Sequence, residues 1–335
     1  MVHYMLRAAV VGLGWWGKEL ISRLAGSDRI TVTHGVDVNL DAVTELPETN
    51  GLTLTDSYEN VLANGNIDAI ILATPHGLHE EQVLAAAAAR KQIFCEKPLA
   101  LEGEAAERML KACDDQGILL GIGHERRYEP AFEEMKRRVD TSELGTLLHI
   151  EINASYNLFA GVVETGWRQD PKQAPAGTLT ALGVHLTDYI QTLAGPVSEI
   201  CARTSHRSSD FPSDDILSVQ FDFKSGVTGY LSSIATTPFY QRISVFGDRG
   251  WVETREVSNV TDPDPAVMTW RGMDLETHTR TYKPINTVLA NLHDWVSAIE
   301  TSHAYRFTRQ EKLHNIQILD AIVRSAASGK GQPVG

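Results

Sequence analysis

Cysteine is scarce in this 335-residue chain: Cys95, Cys113 and Cys201 stand far apart with no C-x-x-C spacing. That excludes a disulfide framework and a zinc knuckle, and it fits a reducing cytoplasm. Basic residues are outnumbered, 30 Lys and Arg against 43 Asp and Glu, and the resulting net charge of −13 repels nucleic-acid phosphates and anionic lipid. No lysine or arginine cluster offsets that field locally. Long apolar runs are missing too: nothing approaches the roughly 20 residues a membrane helix requires. The apolar stretch from Ala8 to Leu13 is interrupted at Gly12 and Gly14, so it reads as a buried strand and not as a secretion signal. Neither nucleic acid nor membrane is an expected partner, and no repeat or low-complexity tract is present.

What the chain does have is alternation. From Leu6 to about Gly123, short β-branched apolar runs (Arg7–Val11, Ile30–Val36, Ala69–Ala73, Gln92–Cys95, Ile118–Ile122) alternate with stretches rich in helix formers (Lys18–Ala25, His79–Ala89, Glu102–Gln116). Apolar strands without a polar face, separated by helices, predict a parallel sheet covered on both sides, a doubly wound α/β fold. After Arg127 the texture changes. A helix at Pro130–Val139 leads into strands at Leu147–Tyr156, Leu217–Phe223, Val227–Ile234 and Arg242–Phe246, joined by turn signals such as Lys224-Ser225-Gly226. That pattern predicts an open, mostly antiparallel sheet. Helices at Thr287–Glu300 and Arg309–Ala327 close the chain, and Asp262-Pro263-Asp264-Pro265 reads as a loop. The expected division is a first domain over residues 1–124 and an α+β domain over residues 125–335.

The run Gly12-Leu13-Gly14-Trp15-Trp16-Gly17 follows the first strand, opens a helix and spells G-x-G-x-x-G. In a dinucleotide-binding Rossmann domain the first glycine makes the tight turn, the second lets backbone approach a diphosphate, and the third lets helix and strand pack closely. Asp37 lies 20 residues past Gly17 at the end of the second strand, where a carboxylate binds ribose hydroxyls. An acid there repels the extra phosphate of NADP, and no arginine or lysine follows in Val38-Asn39-Leu40, so NAD is favoured over NADP.

Phe94-Cys95-Glu96-Lys97-Pro98-Leu99 puts a lysine at the carboxyl end of a strand, the edge at which open α/β sheets bind ligands. With the glycine loop, Ala73-Thr74-Pro75-His76 and His79, Arg126-Arg127-Tyr128-Glu129-Pro130 and Gly183-Val184-His185-Leu186-Thr187-Asp188, it resembles the Gfo/Idh/MocA oxidoreductase family. This family includes glucose-fructose oxidoreductase and myo-inositol dehydrogenase. The resemblance implies an N-terminal Rossmann domain for the cofactor, a C-terminal sheet domain for substrate and oligomerisation, and a homodimer or homotetramer. It implies a dehydrogenase of carbohydrate metabolism that moves hydride between a secondary alcohol of a sugar, polyol or cyclic diol and nicotinamide. Lys97 and His185 are then the catalytic pair, with the lysine pKa lowered by burial and by the cationic ring. The cofactor would lie along Gly12 to Gly17, Asp37, Thr74, Pro75, His76, His79, Glu96 and Lys97.

One position departs from the pattern. Many relatives carry aspartate four residues before the histidine, where this chain has Ala181, so a carboxylate one helical turn from the imidazole is lost. Thr180 and Asp188 are not assured substitutes. Tyr156, Trp167 and Arg168 are further candidates for the substrate wall, with Phe159, Phe239 and Tyr240 making a ring-shaped substrate plausible; Arg127 either binds substrate or phosphate or pairs with Glu129 or Glu133. His76, His79 and Glu80 do not match the H-E-x-x-H spacing, so no metal is expected. Two other functions fit the same residues: glycoside cleavage through transient oxidation and elimination with NAD recycled, and a non-catalytic NAD-binding sensor marked by Ala181.

Overall fold

The computed structural model describes residues 5–43, 46, 51–158, 170, 172–208, 213–258, 263–301 and 303–335. The elements run β1 (Leu6–Val11), α1 (Trp15–Leu24), β2 (Ile30–Val36), β3 (Thr53–Thr55), α2 (Tyr58–Ala63), β4 (Ala69–Leu72), α3 (His79–Ala88), β5 (Gln92–Cys95), α4 (Gly103–Asp115) and β6 (Leu120–Ile122). There follow α5 (Pro130–Asp140), β7 (Leu147–Ser155), α6 (Val184–Ala194), β8 (Val197–Ser205), β9 (Ile216–Phe223), β10 (Thr228–Ile234), β11 (Tyr240–Gly247), β12 (Gly250–Glu256), β13 (Ala266–Arg271) and β14 (Thr277–Tyr282). Helices α7 (Thr287–Glu300) and α8 (Arg309–Ser328) and the short strand β15 (Gln332–Pro333) end the chain.

Two compact units result: Met1–Glu125 with Asn286–Leu313, and Arg126–Ile285 with His314–Gly335. In the first, six parallel strands lie in the order β3-β2-β1-β4-β5-β6. Strand order reverses between β1 and β4, and a doubly wound sheet opens its ligand crevice at the carboxyl ends of such a pair. Val10, Val11, Ile70, Ile71, Ile93 and Cys95 are buried, which accounts for strands that read as unbroken apolar runs. The final strand starts at Leu120 and not at Ile118, because Gly117 at φ +65° and the Ile118 N–H, which donates to the Cys113 carbonyl at 2.9 Å, are still closing the end of α4.

The expected boundary assigned everything after residue 124 to the second domain, yet Asn286–Leu313 belongs to the first unit. The reason is polar as well as apolar. Asn291 Nδ2 donates to the Ile122 carbonyl at 2.8 Å, the Trp295 indole N–H donates to Leu119 O at 3.0 Å, and the Tyr305 hydroxyl accepts from the Ile122 N–H at 3.2 Å. These contacts satisfy the outer edge of β6, which would otherwise expose backbone donors and acceptors. Gly121 makes room for the indole: a Cβ there would lie 2.9 Å from Trp295 Cδ1.

The second unit carries a nine-stranded sheet in the order β14-β13-β12-β11-β7-β10-β9-β8-β15, antiparallel except where β7 and β10 run parallel. Alternate residues, among them Ile150, Ile152, Val219, Phe221, Leu231, Ile243 and Val245, form one core with Leu186, Tyr189 and Ile190 of α6 and Ile318, Leu319 and Ile322 of α8. The period-two alternation is what a sheet with one buried face requires. Among the described residues, no helix is long and apolar enough to cross a membrane.

Candidate active site

In the first unit the candidates gather at the carboxyl ends of β1, β2, β4 and β5. Gly12 sits at φ +92°, and a Cβ there would lie 2.8 Å from the Ala73 carbonyl oxygen, so the β1 turn can run this close to β4 only as glycine. A Cβ on Gly17 would lie 1.8 Å from Gly12 O, so the first turn of α1 rests directly on the loop. Above Gly14, by contrast, nothing lies within 4 Å of the Cβ position. Leu13 anchors the loop through its buried side chain, and its N–H donates to Asp37 Oδ2 at 2.8 Å. The other Asp37 oxygen accepts from Asn39 N–H at 3.0 Å. Asp37 therefore shapes the loop it is expected to serve. No side chain caps α1, and its first turn holds no acid. Bare N–H groups beside open space suit a dinucleotide diphosphate.

The turn after β4 carries Thr74, Pro75 and His76. The Thr74 hydroxyl donates to Gln82 Oε1 at 2.5 Å, and His76 begins a short 3₁₀ turn. His79 is placed differently from its expected role. It opens α3 fully buried, with Nδ1 2.9 Å from the Pro98 carbonyl oxygen and Nε2 3.0 Å from that of Thr74. The ring thus lies between the carbonyls of the β4 and β5 turns, and in its neutral form its single N–H donates to one of them at a time. Burial lowers the pKa of this imidazole, while the Pro98, Thr74 and Leu99 carbonyls act the other way.

Lys97 is partly buried and follows Glu96 directly at the end of β5, with a cis peptide bond to Pro98. Its N–H donates to Glu96 Oε2 at 3.3 Å. Glu96 is only 5% exposed, and its carboxyl is pushed up to about 8, first by burial and next by the negative charge of Glu125. The Trp16 indole N–H and Lys97 pull it back down. Glu125, itself 3% exposed, was not among the sequence candidates. The available signal was an acid directly behind an apolar strand, in Gly123-His124-Glu125.

In the second unit His185 lies buried in the first turn of α6. That helix grows out of a π-helical turn at Leu179–Gly183, in which the N–H groups of both Leu182 and Gly183 donate to Thr178 O at 3.0 Å. Ala181 is inside this turn. Such wide turns are frequent at functional sites because they re-aim the residues that follow. Asp188, three residues beyond His185, is gripped by Arg127: Nε to Oδ2 at 2.7 Å and Nη2 to Oδ1 at 2.5 Å, with both side chains 3% exposed. Gln191 adds a third donor at 3.1 Å. Glu129 binds Arg126 at 3.0 Å. So buried and so bound, the Arg127 guanidinium braces α6. Tyr156 is half-buried and stacks on Phe239 with ring centroids 6.1 Å apart. Phe159, Trp167 and Arg168 lie outside the described residues.

Comparison with known proteins agrees with this anatomy. Residues 6–124 match the family model described as an oxidoreductase family with an NAD-binding Rossmann fold, and residues 132–253 match the corresponding GFO/IDH/MocA C-terminal domain. A D-xylose 1-dehydrogenase (NADP(+)) of Haloferax volcanii is 29% identical over 83% of this chain and 83% of its own length. A scyllo-inositol 2-dehydrogenase (NAD(+)) of Bacillus subtilis is 26% identical over 74% of this chain and 73% of its own. Among solved structures, levoglucosan dehydrogenase in complex with NADH superposes with a TM-score of 0.86 at 21% identity, covering 99% of this chain and 100% of that one. At that identity the likeness speaks for the fold.

Proposed function

Since the chain belongs to the Gfo/Idh/MocA family of oxidoreductases, we propose that it is an NAD-dependent dehydrogenase acting on a secondary alcohol of a sugar, polyol or cyclic diol. The observation that carries this reading is the loop at Gly12–Gly17: uncapped helix amides beside open space, with an aspartate held at its flank by the loop's own N–H. A bound nicotinamide supplies the hydride acceptor. Lys97 takes the proton from the substrate hydroxyl, and His185 is assigned as the second acid–base group. Asp37 favours NAD, because its carboxylate repels a 2′-phosphate; relatives of both cofactor types leave that preference to be measured.

Ala181 bears on the division of labour. With no carboxylate at that position, and with Asp188 engaged by Arg127, the proton transfer rests mainly on Lys97. The test is direct: titrate cofactor-free protein with NAD and NADP, then follow nicotinamide reduction across sugars, polyols and dihydrodiols. Lys97→Met is expected to keep NAD affinity within about threefold while kcat falls roughly 10²- to 10⁴-fold, the usual range for a positioned acid–base group. Turnover of that variant near the wild-type rate sinks the assignment. Tight NAD binding without turnover on any substrate class would favour the sensor reading.

A further inference from the structure

A lysine is buried at the outer edge of the six-stranded sheet, on the strand three places from the one that feeds the glycine loop. Lys312 is the fourth residue of α8 and only 7% exposed. A reciprocal cap fixes the helix start beneath it: the Thr308 N–H donates to Glu311 Oε2 at 2.9 Å, and the Glu311 N–H donates to Thr308 Oγ1 at 3.2 Å. Lys312 Nζ donates to the Leu120 carbonyl at 2.6 Å and lies 5.7 Å from the centre of the Tyr305 ring. An ammonium carries three N–H bonds, and that carbonyl takes one of them. Among the described residues Lys312 forms no ion pair, and a buried cation without a counter-charge is costly to keep.

The same lysine lines a cavity of about 220 Å³ that lies wholly within the first unit. Its walls include Leu110, Ile118, Leu120, Tyr305 and Phe307, all buried. At the rim, Arg309 already answers acids, with Nε 2.7 Å from Asp114 Oδ2 and Nη2 2.6 Å from Glu107 Oε1. The Cys113 thiol, also in the lining, is pushed up to about 11 by burial and stays neutral at pH 7. Lys312 is therefore the charge that the cavity presents to an occupant.

We propose that this cavity binds a small monocarboxylate with an apolar or aromatic body, its carboxylate on the Lys312 ammonium and its body against Leu110, Ile118 and Phe307. The two N–H bonds beyond the one on Leu120 match the two oxygens of a carboxylate. Inorganic phosphate brings more charge and more oxygens, most of which would face hydrocarbon. A neutral apolar compound would fill the walls and leave the ammonium without its counter-charge. The space holds about seven waters at their liquid share of roughly 30 Å³ each, too little for a nucleotide or a folded peptide. The site stands apart from the carboxyl ends of β1, β2, β4 and β5, and it does not depend on the dehydrogenase reading.

The experiment is calorimetric titration of the full chain at pH 7 with benzoate and with phenylacetate, alongside benzyl alcohol as the uncharged probe and inorganic phosphate as the probe without a body. One equivalent of either acid should bind with a Kd of roughly 1 mM or below. Benzyl alcohol and phosphate should each bind at least about tenfold more weakly. Burial brings Lys312 down to about 8, so affinity for the acids should fall by up to about tenfold per pH unit above that point as the ammonium is lost. Lys312→Met, with its fold checked by circular dichroism, should weaken binding of both acids by at least about tenfold. The proposal is overturned if neither acid binds by about 10 mM. Benzyl alcohol binding as tightly as benzoate overturns it too, as does a folded Lys312→Met protein with wild-type affinity for the acids. If that variant does not fold, the pH profile of wild type decides: an affinity for benzoate that stays level from pH 7 to about pH 9.5 refutes the assignment.

Discussion

Arg127 and Asp188 offer the sharpest test of how the second unit holds its histidine. Their two parallel hydrogen bonds, at 2.7 and 2.5 Å, join a guanidinium and a carboxylate that are each 3% exposed. Removing one partner strands the other charge in a dry interior, a loss of about 3–5 kcal/mol. In a domain of this size each kcal/mol moves the melting midpoint by roughly 2–4 °C, so Arg127→Ala or Asp188→Ala should melt roughly 6–20 °C below wild type. Replacing both, as Arg127→Met with Asp188→Leu, leaves no orphan charge and should recover most of that loss. Asp188 lies one turn from His185, so the single variants should also lose kcat in proportion to their instability, whereas the apolar pair should regain stability and activity together. The assay is thermal unfolding alongside substrate saturation. An Arg127→Ala protein with wild-type stability and a raised KM would refute the reasoning and return Arg127 to substrate binding.

Other outcomes follow from single contacts. Asp37→Asn leaves one acceptor oxygen for two N–H donors and removes a charge, so NAD affinity should fall about tenfold or more, with NADP losing less; calorimetry against both cofactors checks it. Gly17→Ala must displace the loop carbonyl that a Cβ would otherwise overlap at 1.8 Å, a strain of about 1–3 kcal/mol that should surface as weakened NAD binding more than as lost secondary structure in circular dichroism. Burial brings the Lys312 ammonium down to about 8 from its ordinary 10.5, so over that interval the folded chain has shed a proton that the unfolded chain still holds. Stability should therefore rise as pH climbs from about 8 towards 10.5, and Lys312→Met should flatten that rise in melting curves.

Much of this molecule was legible before any coordinates. Strands at Ile30–Val36 and Gln92–Cys95 and the helix at Thr287–Glu300 fall where composition put them, because each is a run of one period bounded by turn residues. The glycine loop announced itself for a similar reason, since its spacing answers to local backbone geometry. What escaped was non-local. Nothing in the sequence near Asn291 or Tyr305 says that their partners sit at residue 122, and β3 and α2, of three and six residues, are too short to establish a period. His79, a cofactor candidate in the sequence, lies against the carbonyls of Thr74 and Pro98, and no local pattern foretells those contacts. Arg127 has acids near it in sequence, yet its bidentate partner Asp188 lies 61 residues away.

The return of Asn286–Leu313 to the first unit matters for how the protein comes into being. The edge strand at Leu120–Ile122 waits for Asn291, Trp295 and Tyr305, which the ribosome delivers 169, 176 and 183 residues after their partners. The first unit therefore stays open at its rim until residues 291 to 305 have been made.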